Sequence, residues 1–372
     1  MILPIALFLF AAAQSNPEQL FQKALESQQR GDYAAAVAEY RQLLQIQPGL
    51  FPALANLGAS LTHLGRFDEA IDQYTAALKQ EPQNNALRMN LALAYYKKGD
   101  YANASDHLRA LHQDAPADAR IATLLGDCLS HLDRNDQALA LLAPLEATRP
   151  DDADLAFALG NALVRGGRKR DGVERIERAA SALKSPEAYR LAAETWFDLS
   201  EFEAARKAVN EALALQPDLP GLHTLEGMIL QSVGDRPAAA EALMKALKAN
   251  PNDFRANLYL GAVEFTDRNL KDARIHLDHA LRLDPGSALA RYELALVQRS
   301  TGQEADAVKN LEQVVKANPK WLPVHVELAA LYYRVRRPED GMRERKIVDR
   351  LSEEQQKQEN PGASLPKAPT IP

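Results

Sequence analysis

The sequence predicts an all-α solenoid of about ten helix-turn-helix repeats, and three observations predict it. First, prolines recur at Pro48, Pro82, Pro116 and Pro150, then at Pro217, Pro251, Pro285 and Pro319, at intervals of 34 residues. A fixed period of this size marks a repeat architecture. The two series share one phase, broken by a single-residue deletion between Pro150 and Pro217. Second, apolar residues inside each period fall at i, i+3, i+4 and i+7, one face of an α-helix. Third, hydrophobic residues make up 46% of the chain but aromatics only 6%. Much of the apolar fraction is Ala and Leu, which are strong helix formers.

Each repeat is counted so that the recurring proline is its position 32. The second, Phe51 to Asn84, then reads Leu54, Leu57, Gly58, Leu61, Gly65, Ala70, Tyr74, Ala77 and Pro82. Positions 4, 7, 8 and 11 form the apolar face of a first helix, and positions 20, 24 and 27 that of a second. Small residues at 8 and 20 let the two helices approach closely. Gly31, Gly65, Gly99, Gly167, Gly234 and Gly302 mark the turn between them, where a left-handed residue ends a helix. The position-32 proline stops the second helix by forcing the preceding residue out of the helical region. Asn84, Asp118, Asp152 and Asp253 follow as caps of the next helix. The fourth repeat keeps the skeleton with Leu125, Gly126, Ala138 and Pro150. The sixth has Ala193, Trp196, Ala205, Ala212 and Pro217, and the eighth has Leu260, Gly261, Ala273, Ala280 and Pro285.

These residues resemble the tetratricopeptide repeat (TPR) signature W-x2-L-G-x2-Y…A-x3-F…P, with Leu in place of the Trp and first Tyr and Tyr in place of the Phe. The repeats lie near 17–50, 51–84, 85–118, 119–152, 153–185, 186–219, 220–253, 254–287, 288–321 and 322–355. The fifth departs most. It carries Gly172 where Ala is usual, has Lys184 where the proline belongs, and turns through Arg165-Gly166-Gly167-Arg168-Lys169-Arg170. Two readings fit: a solvated basic loop at a tolerated irregularity, or a hinge between the first five and last five repeats with a basic patch for an acidic partner. The last repeat is rich in charge (Arg334, Arg336, Arg337, Arg343, Glu344, Arg345, Lys346), as a closing cap requires.

Residues 1–13 hold an apolar run, Ile2 to Phe10, followed by Ala11-Ala12-Ala13. The pattern resembles a secretory signal, although no Lys or Arg precedes it; a hydrophobic cap on the first repeat is the other reading. Export implies a periplasmic or secreted protein, the alternative being cytoplasmic. The run is too short to span a bilayer, so no transmembrane span is expected. Residues 356–372 are Pro-rich and expected to be disordered.

A net charge of −6 argues against a nucleic-acid partner. The single cysteine, Cys128, excludes an internal disulfide and reads as a small buried hydrophobe. His276 and His279 sit three apart on a helix, without the companions of a zinc site, and His107 and His112 lack helical ligand spacing. No phosphate-binding loop, dinucleotide motif or nucleophile elbow occurs. No enzyme activity, cofactor, metal or small-molecule substrate is expected.

The resemblance implies a right-handed superhelix whose concave groove is lined by positions 2, 5, 6, 9, 12 and 13 of the first helices. Asn56 and Asn90 at position 6 match the start of an asparagine ladder that holds a peptide backbone, but Leu124 ends it. The carboxylate clamp of chaperone-binding relatives is not matched in any three consecutive repeats. The remaining candidates are Tyr96, Lys97, Asp127, Asn161, Arg165, Arg190, Phe197, Phe265 and Tyr292, with Phe157 and Tyr333 beside them. Aromatics interspersed with polar groups suit a bound peptide or helix; equally, several of the rings fit packing between hairpins. The expected function is a scaffold or adaptor holding a protein or peptide partner in that groove. The alternatives are a structural subunit of an envelope, secretion or pilus assembly, and an accessory to an enzyme.

Overall fold

A computed structural model describes residues 16–359. The apolar segment at 1–13 and the tail from 360 onward lie outside the described residues. The described chain forms twenty α-helices that pair into ten helix-turn-helix repeats. Repeats 1 to 5 comprise α1 (Pro17–Gln29) with α2 (Tyr33–Ile46), α3 (Phe51–His63) with α4 (Phe67–Gln80), α5 (Asn85–Lys98) with α6 (Tyr101–Asp114), α7 (Ala119–His131) with α8 (Asn135–Glu146), and α9 (Ala153–Arg165) with α10 (Lys169–Leu183). Repeats 6 to 10 comprise α11 (Pro186–Asp198) with α12 (Phe202–Leu215), α13 (Leu222–Ser232) with α14 (Arg236–Ala249), α15 (Phe254–Thr266) with α16 (Leu270–Leu283), α17 (Ala288–Ser300) with α18 (Glu304–Ala317), and α19 (Leu322–Arg334) with α20 (Pro338–Glu359). The chain divides into two compact units, Met1–Ala188 and Tyr189–Pro372. The division falls just past the irregular fifth repeat rather than in its basic turn, where Arg165 and Arg168 pair with Asp133 and Asp171.

Local chemistry sets the helix ends. The Asn84, Asp118, Asp152 and Asp253 carboxylate or amide oxygens accept from backbone N–H groups of the helix that follows each, satisfying donors the helix cannot. Residues before the recurring proline, such as Gln47, Glu81 and Ala115, leave the helical region as pre-proline residues must. Repeat 5, which lacks that proline, stops α10 instead by turning Lys184 left-handed at φ 49°. Within each repeat, position 15 is left-handed throughout: the six turn glycines predicted from the sequence, and also Asp133, Ser200, Arg268 and Arg336.

The core repeats with the same period. Alanine at position 20 (Ala36, Ala70, Ala104, Ala138, Ala205, Ala239, Ala273 and Ala307) is fully buried. The glycine at position 8 seats the position-24 side chain of the paired helix: Gly58 lies under Tyr74, Gly126 under Leu142, Gly227 under Leu243 and Gly261 under Leu277. In repeat 5 two glycines face each other, Gly160 and Gly172, and α9 and α10 pack more extensively than any other described pair.

Position 4 departs from the apolar face that periodicity assigns it. In repeats 3, 8, 9 and 10 it is Arg88, Asn257, Arg291 and His325, and each side chain donates to the carbonyl of the preceding proline, Pro82, Pro251, Pro285 or Pro319. In the last three it also reaches position 23 of the same repeat: His276, Asn310 or Glu344. A proline carbonyl at a repeat junction is an acceptor without a ladder partner, and a polar latch supplies the donor.

Candidate functional site

The described first helices of repeats 3 to 5 enclose a cleft of about 490 Å³ in the N-terminal unit. Tyr96 of α5 forms one wall; Arg120, Thr123, Leu124 and Asp127 of α7 form the floor; Asp154, Phe157 and Ala158 of α9 form the other wall. Arg149 and Asp152 close one end. α8 ends early, at Glu146, with Pro144 inside its last turn, and Arg149 lies in the loop that follows. Proline lacks the N–H that would extend the helix ladder. With α8 shortened, α7 and α9 pack directly on each other, more than other described pairs of successive first helices.

Asp127 is the buried polar centre of this cleft, at 7% exposure. The Tyr96 hydroxyl donates to Asp127 Oδ2 at 2.5 Å, and Asn161 Nδ2 donates to Oδ1 at a long 3.4 Å. His131 Nε2 stands 3.7 Å from Oδ2, held by stacking on Tyr101 at 4.0 Å between ring centroids. Burial, then the neighbouring Asp127 charge, pushes the Tyr96 hydroxyl well above its ordinary pKa, so it stays a donor. Cys128, next along α7 and fully buried in the core, is pushed up to about 12 by burial and by Asp127. Three groove candidates separated in sequence, Tyr96, Asp127 and Asn161, thus meet at one carboxylate, and Phe157 shares the cleft with two of them.

The other candidates are dispersed. Asn56 is half-buried near the Tyr40 hydroxyl, which donates to Gln28 at 2.9 Å. Asn90 and Lys97 are exposed, and Arg165 pairs with Asp133 on the surface. In the C-terminal unit, Arg190 pairs with Glu194 of its own helix at 2.5 Å. Phe197 packs edge-on against Phe202 at 5.7 Å, Phe265 packs on the core around Leu277, and Tyr292 leans on Trp321 at 5.0 Å. These three rings are half-buried contacts between helices. Tyr333 lies over Gly341 and under Arg345.

Sequence periodicity missed two half-buried carboxyls in the C-terminal unit. Burial, with repulsion from Asp272, pushes Glu264 up to about 7, and burial pushes Glu293 up to about 6. His276 Nε2 lies 3.8 Å from Glu264 Oε1, and burial lowers its pKa. The signal that could have found Glu264 is its placement at position 11, an apolar core position. Among the described residues, no cluster of three or more His, Cys, Asp or Glu is placed to hold a metal ion. Among them, no helix is long and apolar enough to cross a membrane.

Comparison with known proteins agrees with this architecture. Models described as tetratricopeptide repeat match residues 21–84, 157–220 and 224–288, residues 61–128 and 95–163, and residues 289–320. Human protein O-mannosyl-transferase TMTC3 is 25% identical over 307 residues, which are 80% of this chain and 31% of that protein. The Vi polysaccharide export protein VexE of Salmonella typhi is 35% identical over 96 residues, 25% of this chain and 15% of that protein. The chain therefore spans less than a third of the length of these relatives. Among solved structures, that of the APC/C hetero-tetramer Cut9–Hcn1 is similar in fold at a TM-score of 0.53, with 15% identity, 91% of this chain and 87% of that chain covered. Repeat matches that together run from residue 21 to residue 320, on ten paired helices, show that the chain belongs to the tetratricopeptide repeat family, a fold of protein–protein interaction.

Proposed function

We propose that this chain is a scaffold that docks a partner polypeptide on the first helices of repeats 3 to 5. The observation that carries the reading is the cleft between Tyr96, Leu124, Asp127 and Phe157: apolar walls around one buried, incompletely saturated carboxylate. Concave sites with apolar linings and a few convergent polar groups are where proteins bind ligands. An extended or helical segment buries an anchor side chain there, while exposed groups along the neighbouring first helices, Asn90 and Lys97, contact its flanks. The apolar run at residues 2–10 and the small residues after it support export to the cell envelope, and the partner is then an envelope protein.

The test is an in-cell crosslink and pull-down of the tagged chain, with a Leu124→Ala, Phe157→Ala double variant alongside. A partner recovered by the wild type and lost by the variant supports docking at this cleft. A multi-protein assembly recovered equally by both moves the reading to a structural subunit that contacts its neighbours elsewhere. Purely cytosolic partners would overturn the assignment to the envelope.

A further inference from the structure

We infer that the cleft selects its partner by a single cationic side chain, a lysine or arginine, seated between Tyr96 and Phe157 with Asp127 as its counter-ion. This rests on the docking reading above and adds the chemistry of the anchor. Asp127 is the deepest ionisable group of the cleft, and its carboxylate has more acceptor capacity than its neighbours use. Tyr96 donates once, Asn161 reaches only to 3.4 Å, and His131 stands outside hydrogen-bond distance at 3.7 Å. A buried carboxylate with this few donors is held at a desolvation cost that an incoming cation offsets. Arg149 cannot serve, because it turns to Asp152 at 3.8 Å at the end of the cleft. The lining as a whole holds three carboxylates, Asp127, Asp152 and Asp154, against two guanidinium groups, Arg120 and Arg149.

The walls point the same way. Tyr96 and Phe157 present aromatic rings from helices on opposite sides of the carboxylate. Ring faces attract cations, arginine most often, and the attraction grows where water is displaced. An acidic or C-terminal carboxylate anchor would face Asp127 as a like charge in a poorly solvated site, which is strongly unfavourable. Leu124 and Ala158 leave an apolar surface beside the cation, matched by the aliphatic stem of the same side chain.

The test pans a phage-displayed library of random peptides against the full chain, and measures the best binder by titration calorimetry. The expected result is enrichment of Lys or Arg, with affinity falling about tenfold or more for Asp127→Asn and for a peptide whose basic residue is replaced by norleucine. The peptide substitution leaves the protein unaltered, so a folding defect in Asp127→Asn does not decide the outcome. Tyr96→Phe, which keeps the ring and frees Asp127 of its donor, is expected to bind the same peptide at least as tightly. Enriched peptides that lose binding on Phe157→Ala yet carry no basic residue, or that bind Asp127→Asn equally, would overturn the cation and leave the docking reading intact. No enrichment, or enrichment indifferent to Phe157→Ala, would overturn both.

Discussion

Replacing Gly172 by alanine separates two ways of reading the same repeat. Alanine is the residue that position 20 carries in eight of the other repeats, and in a helix it gains about 1 kcal/mol over glycine. On pattern alone, Gly172→Ala stabilises. The structure predicts the opposite. A Cβ at Gly172 would lie 2.5 Å from the Gly160 carbonyl oxygen, 2.7 Å from Val164 Cγ2 and 2.8 Å from the Val164 nitrogen. Two of those three atoms are backbone, so relief requires α9 and α10 to separate along a contact that glycine on both sides makes unusually close. Overpacking of this kind costs about 1–3 kcal/mol. Because the obstruction is backbone, the upper half of that range applies, and after the propensity gain a net loss of about 1–2 kcal/mol remains. The assay is hydrogen exchange read by mass spectrometry on peptides from α9 and α10, since a solenoid opens locally. Exchange there should accelerate about five- to thirtyfold, with distant repeats unaffected. Gly126→Ala, whose added Cβ meets side-chain rather than backbone atoms nearest to it, those of Leu142 at 2.6–2.7 Å, should cost less. Unchanged or slower exchange in α9 and α10 would refute the close-contact argument.

Four further outcomes are expected. Glu264 and Glu293, raised to about 7 and about 6 by burial, favour the protonated form in the folded state. Their contribution is present below the ordinary carboxylate range and is lost as pH rises through about 6 and then about 7. A Glu264→Gln, Glu293→Gln variant should therefore gain thermal stability over the wild type between about pH 5 and about pH 8, and parallel curves would contradict the burial argument. His325→Ala leaves the Pro319 carbonyl and the Glu344 carboxylate without their partner and should cost about 1–3 kcal/mol, seen as faster limited proteolysis within α20; unaltered cleavage would show the latch is idle. Cys128, buried and raised to about 12, should resist a thiol-specific disulfide reagent until the protein is denatured, and prompt native labelling would show that α7 opens readily. Arg268, held at φ 68°, should become more stable by roughly 0.5–1 kcal/mol as Arg268→Gly, because the left-handed conformation strains a side chain more than glycine's added chain entropy costs; a lower urea midpoint would refute this.

The repeat was legible in the sequence because its determinants are local. A proline, a glycine and a capping Asn or Asp each act within one turn of chain, and the 34-residue period shows the proline eight times and the glycine six. What the period cannot carry is any interaction that differs between repeats. Position 4 reads as apolar from Leu54, yet Arg88, Asn257, Arg291 and His325 occupy it as latches to the preceding proline carbonyl. Position 15 reads as glycine, yet Asp133, Ser200, Arg268 and Arg336 take the same left-handed backbone. The candidate site follows the same logic. Taken singly, the groove positions of Tyr96, Asp127 and Asn161 look no different from those of Phe265 or Tyr292, because the pattern within one repeat says nothing about its neighbours. Their convergence depends on the distance between successive first helices, and that distance is set from outside the groove. Pro144 lies in the last turn of a shortened α8, and α7 packs closely on α9. Pro144 was visible throughout as a proline inside a helical pattern, in a repeat whose position-32 proline already ended the helix. A second breaker with no structural need is where a periodic fold gives up regularity, and here the irregularity lies directly behind the cleft. Restoring the helix with Pro144→Ala should therefore push α7 and α9 toward the spacing of the other repeats and weaken the Asp127–Asn161 contact without touching a single residue of the lining.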